Sequence, residues 1–243
     1  MNKFNSSQNI GEIVVEFPKA ADVFKAYKID FCCGGNRSLI TAIKEQELDE
    51  TEVLDRLNKL YKNIAENPGA NDKDWREAST EEIVEQILYK HHAYLWAEMP
   101  KIGRLVITIL KVHGANHPEL SKAHRLFNTV KTELESHLVK EETIQYPAIR
   151  EYLDSNDEAD LDKAIKIIDE LKEEHAGAGN IMKELRIVTD DYKIPADACM
   201  TFESTYAKLQ EMEDDLFQHI HIENNVLFPR LLGLKNAKRS NVG

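Results

Sequence analysis

Two segments of the chain, HLVKEETIQYP (137–147) and HIHIENNVLFP (219–229), place a His, a Glu four residues later and an aromatic–Pro pair at matching offsets. Four residues is little more than one helical turn, so the imidazole and carboxylate of each pair stack on one face. Stepping by three and four along the first segment gives Leu134, His137, Leu138, Glu141, Ile144, Gln145 and Ala148. The second gives Leu216, His219, Ile220, Glu223, Val226, Leu227 and Arg230. Each Glu therefore falls on an apolar stripe, where an ionised carboxylate costs several kcal/mol unless its charge is compensated. The steps flanking the two Glu residues offer no Lys or Arg, and a cation shared between them is the economical partner.

Two further helical stripes each add a His. One reads Leu88, Tyr89, His92, Leu95, Trp96, Met99, and the other Ile168, Leu171, His175, Ala178, Gly179, Met182, with small residues beside His175. A single inward His is ordinarily a hydrogen-bonded core residue, and one His-x3-Glu is a common surface pair. The repeated pair plus an inward His on each remaining helix argues for a metal site instead. Four imidazoles and two carboxylates suit a pair of first-row ions. Two octahedral ions have about twelve ligand positions, of which these donors and one bridging oxygen fill about ten. The remaining positions would admit a small ligand. Iron suits this set and would supply redox chemistry; residue type alone leaves zinc and manganese open. Pro147 and Pro229 can kink helices, and their shared offset ties them to the shape of the site.

The elements that must position these groups are helices. Ser79-Thr-Glu-Glu82 reads as a capping box opening a helix to about Met99 or on to Val112. A second helix follows Pro118 to about Leu153, a third spans about 158–188, and a fourth runs from about Pro195 to Leu234. Four long helices with short connections predict an all-α antiparallel four-helix bundle over 79–243. Residues 1–66 read as a small helical N-terminal domain with helices from Pro18 to Tyr27, Leu39 to about Glu47 and Thr51 to about Ile64. Residues 67–78 carry the Pro, Gly, Asn and Asp content of a linker.

Composition bounds the partners. The 243 residues carry 43 acidic and 31 basic side chains, a formal net charge of -12, which argues against a nucleic-acid surface. No stretch approaches a membrane span, and the N-terminus lacks a signal-peptide pattern. The adjacent Cys32 and Cys33 with a distant Cys199 make a poor disulfide framework and favour a reducing cytoplasm. Adjacent cysteines bridge only through a strained ring. Cys32 and Cys33 are thus either candidate reactive thiols or part of a structural turn, while Cys199 reads as packing.

YKIDFCCGG, SHLVKEETIQYP, EEH and HIHIENNVLFPR together resemble the repair-of-iron-centres proteins, the YtfE/ScdA type of hemerythrin-like di-iron proteins, over nearly the whole chain. The resemblance implies a hemerythrin-like bundle with two non-haem irons, oxo- or hydroxo-bridged. His92, His137, His175 and His219 would be terminal ligands, and Glu141 and Glu223 bridging carboxylates. It further implies a cytoplasmic role in restoring iron–sulfur clusters damaged by nitric oxide or oxidants. The partners would then be damaged iron–sulfur proteins, and nitric oxide or oxygen the small ligand.

Of the neighbours His91 and His92, the stripe allows one inward and favours His92. His113 matches a family position and reads either as a residue beside the ligands or access path, or as part of a loop. His221, about 200° from His219 around the helix, reads as surface. The competing functions are a hemerythrin-like carrier or sensor of oxygen or nitric oxide, for which a fifth inward His is not evident, and a metal-free helical interaction protein. A unit as small as 1–66 is also expected to favour a homodimer.

Overall fold

The computed structural model describes residues 2–66 and 74–240. Among the described residues the chain is helical, with no β-strand and one isolated bridge between Asn9 and Ser38. Contacts divide it into two compact units, one formed by Met1–Ile83 with Ile220–Gly243, the other by Val84–His219.

The first unit begins with α1 (Ile10–Glu16), α2 (Ala20–Ala26), α3 (Leu39–Glu45) and α4 (Glu50–Glu66). Four of the seven residues of α1 are Ile or Val, which weakens intrinsic helix preference. It forms because Ile10, Ile13, Val14 and Val15 are all buried. The amphipathic α4 packs on α2 and α3, and Tyr61 sets its ring edge-on to Phe4 and Phe17 at 5.4 and 5.3 Å. Between α2 and α3 the chain turns at IDFCCGGN. There one carboxylate oxygen of Asp30 accepts the backbone N–H groups of Cys32, Cys33 and Gly34 at 3.0 to 3.1 Å. The described part of the expected linker, 74–78, is tied down by Arg230, which donates to the carbonyls of Trp75, Arg76 and Ala78. Residues 67–73 of that linker lie outside the described residues.

The helices of the bundle follow. α5 (Thr80–Gln86) runs through π1 (Ile87–His92) into α6 (Ala93–His113). α7 (Glu119–Lys140) runs through π2 (Glu141–Gln145) into α8 (Tyr146–Ser155). α9 (Glu158–Ile165) and α10 (Ile168–Val188) come next. Last, α11 (Met200–Ile222) runs through π3 (Glu223–Leu227) into α12 (Phe228–Ser240). The capping box forms as expected: Ser79 N–H donates to Glu82 at 2.8 Å and Glu82 N–H to Ser79 Oγ at 3.2 Å. The helix expected over 158–188 is interrupted at residues 166–167. The helix expected from Pro195 starts only at Met200, after Asp190, Asp191 and Tyr192 adopt positive φ in succession. Helix α7 packs on α6 and α10, and Met99, Ile102, Phe127, Val130, Leu171, Met182, Met212 and Leu216 fill the interior. No helix among the described residues is long and apolar enough to cross a membrane.

The three π turns are what uniform helical stepping missed. A π turn bonds i to i+5 and so inserts one residue into the helical register. After Glu141 the stripe predicts Ile144, Gln145 and Ala148 inward; Gln145 and Ala148 are buried, but Ile144 is exposed, and Tyr146 and Ile149 turn inward beside them. Along π1 the same insertion leaves Tyr89 exposed and carries both His91 and His92 inward. Tyr146-Pro147 and Phe228-Pro229 follow the last residues of π2 and π3 directly. A proline lacks the N–H that would close an ordinary α turn, which accounts for the matched aromatic–Pro offset in the sequence.

A carboxylate buried in the bundle, that of Glu213, takes a partly exposed cation as its partner. Arg186 Nε lies 3.0 and 3.2 Å from the carboxylate oxygens of Glu213. Burial pushes the Glu213 carboxyl up while the guanidinium pulls it down. Arg186→Ala leaves that carboxylate without its cation and is expected to destabilise by about 3 kcal/mol at neutral pH. The loss should shrink on acidification as Glu213 takes a proton. Urea unfolding of both proteins at pH 7 and pH 5 measures it.

Candidate metal centre

Glu141, fully buried, lies at the junction of α7 and π2. His92 Nε2 lies 3.2 Å from its Oε2 and His137 Nε2 3.2 Å from its Oε1, with His219 Nε2 at 3.7 Å and His175 Nε2 at 3.9 Å. All four imidazoles are buried. Ligand atoms of His92, Glu141 and His219 lie within 4.8 Å of one another. Four helices that are distant in sequence thus bring one ring nitrogen each to a single carboxylate.

The tautomers follow from the outer ring nitrogens. His92 Nδ1 lies 2.9 Å from Glu142 and His137 Nδ1 2.8 Å from Glu174. A carboxylate only accepts, so each Nδ1 carries a proton, and Nε2 is the atom that each ring turns toward Glu141. Neither oxygen of Glu141 accepts a hydrogen bond. His137 Nε2 and His175 Nε2 also face each other at 3.1 Å. Imidazole lone pairs and a carboxylate at these distances repel unless positive charge lies among them. Burial opposes ionisation of Glu141, and positive charge on or among His137, His219 and His92 outweighs it, holding the carboxyl well below its usual range.

This donor set fits a metal ion. Ligand bonds of about 2.1 Å put adjacent donor atoms about 3.0 Å apart and opposite ones about 4.2 Å apart. The distances of 3.1 to 3.9 Å among these atoms lie within that range. Carboxylates on the outer ring nitrogens are the usual supports of metal-bound histidines, fixing tautomer and ring orientation. Glu223 lies four residues beyond His219 along the same helical rod, is fully buried and opens π3.

Several expectations change. His91 is buried alongside His92, because π1 widens the turn. Its Nδ1 lies 2.9 Å from Asp215, and its ring stacks on that of His219 at 5.9 Å. His221 is buried, not on the surface. It lies against the cysteine turn, Nδ1 3.4 Å from the Phe31 carbonyl, and burial lowers its pKa to about 4. His113 ends α6, with Nε2 3.2 Å from Cys199 Sγ. Cys199 is exposed and does not pack in the core. Cys32 is buried and Cys33 half-buried. Contact with Cys33, burial and Asp30 push the Cys32 thiol up, so it stays protonated.

Sequence stepping missed Glu142, Glu174 and Tyr146. Each of the two Glu residues sits directly beside a residue of the cluster in sequence, which was the available signal. Tyr146 comes inward only through the register shift of π2, placing its hydroxyl 3.5 Å from His92 Nε2. Trp96, read as inward, is partly exposed and donates to Glu142 at 2.9 Å.

Residues 83–231 match the hemerythrin HHE cation-binding domain. The chain belongs to the hemerythrin HHE family. Ahead of that hemerythrin match, residues 6–61 match ScdA_N, a domain of unknown function. A Haemophilus influenzae protein named "Probable iron-sulfur cluster repair protein" is 33% identical over 230 residues, covering 95% of this chain and 99% of its own. The "Iron-sulfur cluster repair protein YtfE" of Escherichia coli O157:H7 is 34% identical over 226 residues, covering 93% and 96%. The buried His and Glu cluster gives the hemerythrin match its chemistry here, since it is the donor set of a cation-binding domain.

Glu174→Ala removes the acceptor that fixes His137. Ferrous-iron affinity is expected to fall about 10- to 100-fold, measured by competition with a chromogenic chelator.

Proposed function

We propose that the chain repairs iron–sulfur clusters damaged by nitric oxide or oxidants, and that its working centre is a pair of irons. His92, His137, His175 and His219 would hold the two ions as terminal ligands, with Glu141 and Glu223 as carboxylates between them. The observation that carries this reading is the buried Glu141 carboxylate, which accepts no hydrogen bond and faces four imidazole nitrogens. The relatives named for iron–sulfur cluster repair, matched along almost their whole length, supply the client class. When bound, the ions supply redox chemistry and sites for a small ligand such as nitric oxide or oxygen; iron given up to a damaged cluster would be cargo.

The residues of this chain do the rest. Glu142 and Glu174 keep the protons of His92 and His137 on Nδ1, so that Nε2 stays available. Lys140 pairs with Glu174 and with Glu170, holding the first of these carboxylates in place from the outer side. The apolar interior of α6, α7, α10 and α11 keeps bulk water from the carboxylate. A repair protein of this kind would work in the cytoplasm, in line with the cysteine usage.

The oxygen-carrier reading gains one observation, a fifth imidazole beside the cluster, that of His91. Its Nδ1, however, lies against Asp215, and His91 is absent from the ligand group that joins His92, Glu141 and His219. Repair therefore remains the better reading.

Anaerobic reconstitution is expected to load two irons per chain, and Glu141→Ala or His219→Ala to bring the content well below two. The loaded protein should restore activity to an iron–sulfur enzyme inactivated by nitric oxide, and the two variants should not. Full iron loading without recovery of the damaged enzyme would reject repair while leaving the metal centre standing.

A further inference from the structure

A second cluster of chemically competent side chains lies where α6 ends and α11 begins. His113 is the last residue of α6, and its Nε2 lies 3.2 Å from the Sγ of Cys199, the residue before α11. The next imidazole along, His117, has Asp197 at 2.9 Å from Nε2 and Glu119 at 3.0 Å from Nδ1. Carboxylates on both ring nitrogens favour the imidazolium, and the hydrogen bond to Asp197 leads in raising its pKa. Both rings pack edge-on against Phe202, at 5.3 and 5.5 Å, which fixes their orientation. The thiol is exposed, and so are its neighbours Met200 and Val112. This is a thiol–imidazole pair beside an imidazole already held by two carboxylates, and the metal centre uses none of these residues.

We propose that Cys199 and His113 form a second reactive centre, which undergoes thiol–disulfide exchange with low-molecular-weight disulfides. The Cys199 proton passes to His113 Nε2, and the thiolate attacks one sulfur of the disulfide. A Cys199–S–S–R bond forms as the R–S–S–R bond breaks. The departing thiolate leaves with the electron pair and takes up a proton from water. Cys199 is thereby oxidised and half of the disulfide reduced.

The supporting electrostatics agree. His113, followed by the backbone N–H groups of Phe202 and Thr201, lowers the Cys199 thiol from 9.0 to about 7, the range of reactive cysteines beside imidazoles and helix N-termini. Cys32, in contrast, is buried and pushed well up. The groups facing the thiol are His113 from α6, His117 and Asp197 from the two connecting segments, and the amides of α11; each belongs to the pH response.

The full-length, iron-loaded protein is incubated with oxidised glutathione at pH 7 and peptide-mapped by mass spectrometry. The first adduct is expected on Cys199, ahead of Cys33, and absent from Cys199→Ser. With a chromogenic aromatic disulfide, the rate should rise with pH to a midpoint near the thiol value of about 7. His113→Gln should move that midpoint toward the ordinary ~8.5 and slow the reaction at pH 7 about threefold, the higher nucleophilicity of the more basic thiolate offsetting part of its lower abundance. The wild-type pH profile stands by itself if the variant fails to fold. A midpoint at the ordinary thiol value, or first modification at Cys33, would overturn the proposal.

Discussion

Everything in the bundle is organised around an arrangement that is unfavourable by itself. Glu141 is fully buried, neither of its oxygens accepts a hydrogen bond, and imidazole nitrogens surround it. Removing a carboxylate from water costs several kcal/mol when nothing compensates its charge. A cation among these donors turns the same contacts from repulsive to attractive, so metal affinity and bundle stability become one linked quantity. Glu142 and Glu174 extend the logic outward. They commit the Nδ1 protons of His92 and His137 and leave lone pairs where an ion would need them.

The π turns are the backbone's share of this arrangement. Both His-x3-Glu motifs enter a π turn at the Glu and leave it at an aromatic–Pro pair. A π turn is locally less favourable than an α turn and persists where a side-chain position demands it. In π2 the demand is visible: Glu141 keeps its place one turn from His137, while the inserted residue brings Tyr146 inward toward His92. Pro147 and Pro229 lower the cost, because neither has an N–H to leave without a partner.

What the sequence could reveal follows from this division. The His-x3-Glu pairs, the capping box at Ser79 and the four long helices were legible because each rests on local spacing. His91, His221 and Tyr146 were not. Stepping by three and four assumes a uniform helix with a single buried face. A π turn breaks the first assumption at His91 and Tyr146. His221 breaks the second, since its side of the helix is covered by the Phe31–Cys32 backbone. The position of Cys199 was illegible for another reason. Its partner His113 lies 86 positions away, and only tertiary structure brings the two together.

The same π turn explains why the cysteine motif needs its glycines. Asn225, two residues after Glu223, donates to the carbonyls of Phe31 and Cys32 at 3.3 and 3.1 Å. A Cβ on Gly35 would lie 2.6 Å from the Asn225 amide oxygen and 2.7 Å from the Phe31 carbonyl oxygen. No glycine among the described residues has positive φ, so Gly35 is required for close approach and not for an unusual backbone angle. The Asp30 carboxylate closes the turn from its other side by collecting three successive N–H groups. FCCGG is therefore a rigid turn moulded to the residues beside Glu223. One of its thiols is buried and protonated, which leaves the half-buried Cys33 as the member of the pair that a reagent can reach.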